Sequence, residues 1–159
     1  MYILKTLLFT FTIYITLFST LGFSNTSCEH TKTQFSCVKY LKNYDGDTIT
    51  FKIHNVHPLI GENISVRVRG IDTPEIKTKD TCEKVKGRIA RKLTENLMKN
   101  AKRIDLKNIG RDKYFRILAD IEFDGKDLKS ILIKNQIAYL YNGDTKKKVN
   151  WCERLPSSN

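Results

Sequence analysis

Apolar and polar positions along the chain change period in a way that divides it into short elements. Val38–Leu41 and Thr48–Ile53 are β-prone stretches on either side of Asp45-Gly46, a dipeptide that favours a hairpin turn. Asn63–Arg69 then alternates strictly, with Ile64, Val66 and Val68 on one face and Ser65, Arg67 and Arg69 on the other. That period of two predicts a strand with one buried and one basic face. After Pro74 the period lengthens: Val85, Ile89, Leu93 and Leu97 recur every four residues, and Ala90, Thr94 and Ala101 widen the stripe. Asp80 followed by Glu83 is a candidate capping box at the start of this helix. Ile104–Lys107 and Ile117–Phe123 read as two further strands around Gly110-Arg111-Asp112-Lys113, and Asp124-Gly125 as a turn. Asp127 can cap a short helix that turns Leu128, Ile131 and Leu132 inward and ends near Asn135. The tail from Lys146 to Arg154 has room for one helical turn around Trp151.

Three strands, a helix, two strands and a helix, in that order, match the partly open Greek-key barrel of the OB-fold. The expected class is α+β, mainly β: a five-stranded barrel with two or three helices. The 159 residues leave room for one such domain. Ahead of it, Lys5 precedes an apolar run from Leu7 to Phe18 and small residues around Gly22 and Ser24, the layout of a secretory signal. The chain therefore divides into a signal peptide (1–24), a polar linker (25–35) and one domain (36–155). A retained membrane anchor through residues 7–23 is the alternative, because that run is long and rich in aromatic and β-branched side chains. The expected location is secreted or periplasmic.

Charge and cysteines narrow the partners and the compartment. The chain carries 28 basic and 17 acidic side chains, a net of +11; loss of the leader removes only Lys5 and leaves +10. Such an excess favours polyanions without proving a nucleic-acid partner. Cys28, Cys37, Cys82 and Cys152 all follow the leader, and none is spaced as C-x-x-C, so neither a zinc ribbon nor a dithiol redox site is indicated. Disulfides fit an exported chain, and of the three connectivities the nearest-neighbour one is preferred: Cys28 with Cys37, and Cys82 with Cys152.

Candidate chemistry gathers in three clusters at strand ends: Asp45-Gly46-Asp47-Thr48, Arg67 through Gly70-Ile71-Asp72-Thr73-Pro74-Glu75, and Asp112-Lys113-Tyr114-Phe115-Arg116. In isolation the Asp-Gly-Asp run reads as a turn. Asp47 and Asp72 lie just beyond a hairpin turn and a strand, so strand pairing could bring both carboxylates to one rim. There they would make a hard-oxygen site suited to calcium or magnesium. Ile49 stands where an EF-hand loop would need an oxygen ligand, which excludes that motif. Arginine is the residue suited to phosphate, through its planar fork and permanent charge.

The three clusters in this order resemble the thermonuclease, or staphylococcal-nuclease-like, family over about Phe35–Tyr141. The resemblance implies a calcium-dependent nuclease acting on DNA and RNA and leaving 3′-phosphate ends. It further implies one calcium ion held by Asp47, Asp72 and the backbone carbonyl of Thr73, and catalysis by Arg67, Glu75 and Arg116. Tyr114, with Tyr139 or Tyr141, would contact the substrate. A monomer without an obligate protein partner is expected, touching membrane only if the leader is retained. The rival reading is a non-catalytic OB-type nucleic-acid-binding protein of the cell envelope. Phe115 departs from the family pattern, which has glycine there: it would be strained if that glycine serves a positive φ, or would narrow the pocket or stack on a base if it serves space. His30, His54 and His57 lie outside the clusters, and Lys146, Lys147 and Lys148 read as a solvated, generally attractive patch.

Overall fold

The computed structural model describes residues 27–146 and 148–153, so the signal-peptide and anchor readings lie outside the described residues. Three antiparallel strands, β2 (Lys39–Asn43), β3 (Thr48–Lys52) and β4 (Ile64–Val68), form a meander. β4 then pairs in parallel with β7 (Ile117–Phe123), which is antiparallel to β6 (Ile104–Arg111). A parallel neighbour needs a long crossover. Here it runs through β5 (Ile71–Asp72), the helix α2 (Thr81–Asn100) and β6. Two-residue strands complete the sheet: β1 (Gln34–Phe35) on β6, and β8 (Lys126–Asp127) on β7.

This is the expected OB-like, mainly β architecture, but its barrel is not closed. β1 and β2 stand at opposite ends of the ladder, although only three residues separate them in the chain. Cys37 turns the chain at a left-handed φ of 52°, which takes it out of strand geometry. The gap is spanned by Val38 N–H donating to Ile104 O at 2.9 Å and Cys37 N–H donating to Asp105 Oδ1 at 2.8 Å.

Alternation places Ile49 and Phe51 of β3, Val66 and Val68 of β4, and Ala119, Ile121 and Phe123 of β7 in one core, with Leu128 and Leu132 of α3 (Leu128–Lys134) covering it. α3 starts as expected, with Asp127 Oδ2 accepting from Ser130 N–H at 3.0 Å. A short helix not foreseen, α1 (Pro58–Gly61), begins at a proline with the His57 ring nitrogen accepting from Leu59 N–H. Trp151 lies in a turn rather than a helix, and it is buried against Tyr139. Both disulfides follow the nearest-neighbour pairing, and Cys82–Cys152 fastens the first turn of α2 to the tail.

α2 is present where the period places it, yet its buried face is rotated. Lys86, Gly87, Ala90, Thr94 and Met98 are buried, whereas Val85 and Ile89 are 45% and 47% exposed. The reason is close approach. A Cβ on Gly87 would stand 2.7 Å from Pro74 O, and one on Gly46 would stand 2.8 Å from Ala90 Cβ. Small residues on both sides let the helix press on the 44–47 hairpin loop and on the 73–75 loop, and Thr94 Oγ1 donates to Gly46 O at 2.8 Å. Gly46 thus serves contact rather than a positive φ. Asp80 caps α2 by accepting from Glu83 N–H at 2.9 Å, but Glu83 completes no box, since its Oε1 accepts from Glu75 N–H at 3.3 Å. The helix therefore braces two of the three sequence clusters.

Candidate active site

Asp45 builds the first wall of the site by folding its own loop. Its Oδ1 accepts from Asp47 N–H and Thr48 N–H at 3.1 and 2.7 Å, an Asx-type turn that aims Asp47 inward. Val68 N–H donates to Asp47 O at 2.8 Å, which sets this loop beside the end of β4. The second wall is β5, whose pairing with β9 (Tyr139–Leu140) puts Asp72 opposite Tyr139. Between the walls lies Arg67. Its Nη1 donates to Asp47 Oδ1 at 2.7 Å and its Nη2 to Asp72 Oδ1 at 2.5 Å. Asp47 Oδ2 accepts from Thr73 N–H at 2.9 Å, and Asp72 Oδ2 accepts from the Tyr139 hydroxyl at 3.0 Å.

Asp47, Asp72 and Arg67 are all buried, at 1%, 4% and 9% exposure, so these are charges in a medium that penalises them. Burial pushes the Asp47 carboxyl well above its usual range, Asp45 and Asp72 push it further, and Arg67 and Thr73 hold it back. Burial alone would depress the Arg67 guanidinium, but Asp47 and Asp72 outweigh it and raise its hold on the proton. At the mouth of the cluster Lys146 Nζ lies 2.8 Å from Glu75 Oε1 and 3.1 Å from Asp72 Oδ1. Burial would lower the Lys146 ammonium; the Glu75 and Asp72 carboxylates raise it instead.

On its other side Arg67 opens into a groove of about 430 Å³ that it shares with Arg69, Arg111, Lys113 and Arg116, and with Tyr114 and Tyr141. Arg116 is presented by a loop that Asp112 organises: its Oδ1 accepts from Tyr114 N–H and Arg116 N–H at 2.8 and 2.9 Å, and its Oδ2 from Arg116 Nε at 2.7 Å. The guanidinium of Arg116 also lies 5.5 Å from the centre of the Tyr114 ring. Five cations and two aromatic rings around one groove suit a polyanion bearing planar bases.

Comparison with known proteins identifies the family of the chain. The family model described as "Staphylococcal nuclease homologue" matches residues 65–155, more than half of the chain. The chain belongs to the staphylococcal nuclease homologue family. Among its relatives are Endonuclease YncB of Bacillus subtilis (strain 168), 37% identical over 108 residues, and SPbeta prophage-derived endonuclease YokF of the same organism, 36% identical over 108 residues. Each match covers 64% of this chain but only 48% and 34% of those relatives, so the chain spans half or less of their length.

Within this nuclease-homologue domain, the structure unites Asp47, Arg67, Asp72, Thr73, Glu75 and Tyr139 at one cluster, and Arg67, Tyr114, Arg116 and Tyr141 at the adjoining groove. Tyr139 and Tyr141, equivalent by sequence, are separated: the first is buried on Asp72, and the second lines the groove. Phe115 adopts a φ of 61°, so the position is one of positive φ. Its ring is not part of the groove wall, and the residue is 77% exposed. Arg116 is nevertheless held in place by Asp112. Arg69, which the sequence sets beside Arg67 as a phosphate clamp or a solvated neighbour, lines the groove; Arg111 and Lys113 had no assigned role and line it too, and Lys146 was placed in a solvated patch. Three consecutive lysines carry no signal that would single out Lys146.

The donor chemistry fits a hard cation. Asp47, Asp72 and the Thr73 carbonyl are oxygen donors, and with Asp45 and Glu75 the cluster holds four carboxylates against two cations, Arg67 and Lys146. An ammonium already stands where extra positive charge is wanted. Among the described residues no group of three or more His, Cys, Asp or Glu side chains is assembled for a metal, because the carboxylates are turned toward Arg67 and Lys146. No described helix is long and apolar enough to cross a membrane.

Proposed function

We propose that the chain is an exported, calcium-dependent endonuclease hydrolysing phosphodiester bonds of DNA and RNA. The observation that supports this best is the double position of Arg67, which ties Asp47 and Asp72 together while lining the basic groove with Arg116. A phosphodiester seated in the groove lies against the acid cluster. As its phosphorus becomes five-coordinate, charge gathers on the equatorial oxygens, and Arg67 and Arg116 meet it with permanently protonated, planar donors. Glu75, half exposed at the mouth of the cluster, is placed to orient the attacking water and accept its proton. The water oxygen bonds to phosphorus, the bond to O5′ breaks, and O5′ takes up a proton, which leaves a 3′-phosphate and a 5′-hydroxyl. Calcium held by Asp47, Asp72 and the Thr73 carbonyl would add positive charge beside the phosphate. Tyr141 and Tyr114 flank the nucleotide, and Tyr139 keeps Asp72 oriented.

Export is supported by the two disulfides, which persist in oxidising compartments. The protein acts as a monomer in a secreted or periplasmic setting, attached to membrane only if residues 7–23 are retained. The test is incubation of the purified protein with DNA and with RNA in calcium, followed by a chelator. Fragments with 3′-phosphate ends, whose production stops on chelation, are expected. Cleavage indifferent to the chelator would overturn the metal dependence, and binding without cleavage would replace the enzyme by a non-catalytic OB-type binder. Glu75→Gln and Arg116→Ala should each lower turnover by orders of magnitude in a folded domain. Near-normal rates in both would overturn the residue roles.

A further inference from the structure

We propose that Lys146 is an internal counter-cation, held on the Asp72 and Glu75 carboxylates at the mouth of the acid cluster, that sets how much divalent cation the protein needs; this rests on the calcium reading above. Its ammonium touches Asp72, one of the expected metal ligands, and Glu75, the expected base, at 3.1 and 2.8 Å. Calcium binds oxygen at about 2.3–2.6 Å. An ion on Asp72 at that distance would face Lys146 as a like charge on the same carboxylate, and Lys146, unlike the buried Arg67, is half exposed and free to swing away, so metal binding and the Lys146 contacts oppose one another.

The segment that carries Lys146 is fastened on both sides of it. Upstream, Tyr141 N–H donates to Gly70 O at 2.9 Å, the Tyr141 hydroxyl donates to Asp144 O at 2.7 Å, and Lys113 Nζ donates to Gly143 O at 3.2 Å. Downstream, Trp151 is buried and Cys152 is bonded to Cys82 on α2. A tethered ammonium has a high effective concentration at its target and competes with a free ion accordingly. It also keeps the carboxylates compensated and Glu75 occupied when divalent cation is scarce. The acid cluster is thus closed by its own chain until a stronger cation opens it.

Calcium titrated by calorimetry, at fixed ionic strength, into the wild-type protein, Lys146→Met and Lys148→Met tests this. Lys148 lies on the same segment and lines the same cleft, which includes Asp72 and Glu75, so it controls for loss of a nearby positive charge. Lys146→Met should bind calcium at least about tenfold more tightly than wild type, and Lys148→Met should stay within about twofold of it. Equal or weaker binding by Lys146→Met, or equal tightening by Lys148→Met, would overturn the proposal while leaving the calcium site intact. Absence of calcium binding in all three proteins would overturn the calcium reading and the proposal together.

Discussion

Phe115→Gly is expected to stabilise this protein, although it removes a large apolar side chain. Phe115 sits at φ 61°, where a Cβ crowds the backbone. That conformation costs a non-glycine residue about 1–2 kcal/mol. It persists because its neighbours over-determine it: Phe115 N–H donates to Asp112 O, Asp112 N–H donates to Arg116 O, and the Asp112 carboxylate accepts from Tyr114 and Arg116. The ring contributes little in return. The residue is 77% exposed, so at about 1.5–3 kcal/mol for full burial the packing at stake is only about 0.5 kcal/mol. Phe115→Ala separates the two effects, since alanine loses the ring and keeps the Cβ. Alanine should be neutral or destabilising by about 0.5 kcal/mol, and glycine should exceed alanine by about 1 kcal/mol. Thermal unfolding followed by circular dichroism would register that difference as a rise of about 3–5 °C. A glycine variant no more stable than the alanine variant would refute the argument that φ, rather than packing, governs this position.

The other expectations concern the braces of the site. Gly87→Ala should destabilise the domain by about 1–3 kcal/mol despite the better helix propensity of alanine, because its Cβ would meet Pro74 O at 2.7 Å; the displaced 73–75 loop should lower nuclease turnover at temperatures where the domain is still folded, and wild-type behaviour in both assays would refute the close-approach account. Cys152→Ser opens a crosslink between residues 70 apart and should cost about 4 kcal/mol by the loop-entropy relation, read as a fall in the denaturant midpoint with Cys82 also replaced to avoid a free thiol. Burial would raise the Asp112 carboxyl, but bonds from the Arg116 and Tyr114 N–H groups and the Arg116 guanidinium hold it below its usual value of 3.8. Its contribution is therefore present above that pH and lost as pH falls through the lower folded value; a carboxyl NMR titration of Asp112 that midpoints at or above the usual value would contradict this. Asp112→Asn should remove the effect and loosen Arg116.

Much of the fold was legible because burial leaves a period in a strand or helix. The alternation of Ile64, Val66 and Val68, the helical recurrence after Pro74 and the Asp127 cap each follow from neighbours close in sequence. The pairing of the four cysteines was anticipated by taking neighbours along the chain, although Cys82 and Cys152 are 70 positions apart. The acids and arginines of the candidate site were legible through the order of the three clusters and the family they resemble; Asp45 organises its own loop, whereas Asp72, Thr73 and Glu75 are bonded by residues from elsewhere in the chain.

What the tertiary structure decided is which groups meet across long chain separations. Periodicity put Val85 and Ile89 on the buried face of α2 together with Ala90, but the helix keeps Ala90 inward and turns Gly87 there in place of Val85 and Ile89, because the two site loops leave no room for larger residues. Tyr139 and Tyr141 were indistinguishable until β5–β9 pairing carried one to Asp72 and left the other in the groove. Lys146 reaches Glu75 across 71 positions of sequence, through a tail fastened by a disulfide. Local pattern reports the burial of a residue and not the identity of its partner. For a charged side chain in a cluster of four carboxylates, the partner determines the chemistry.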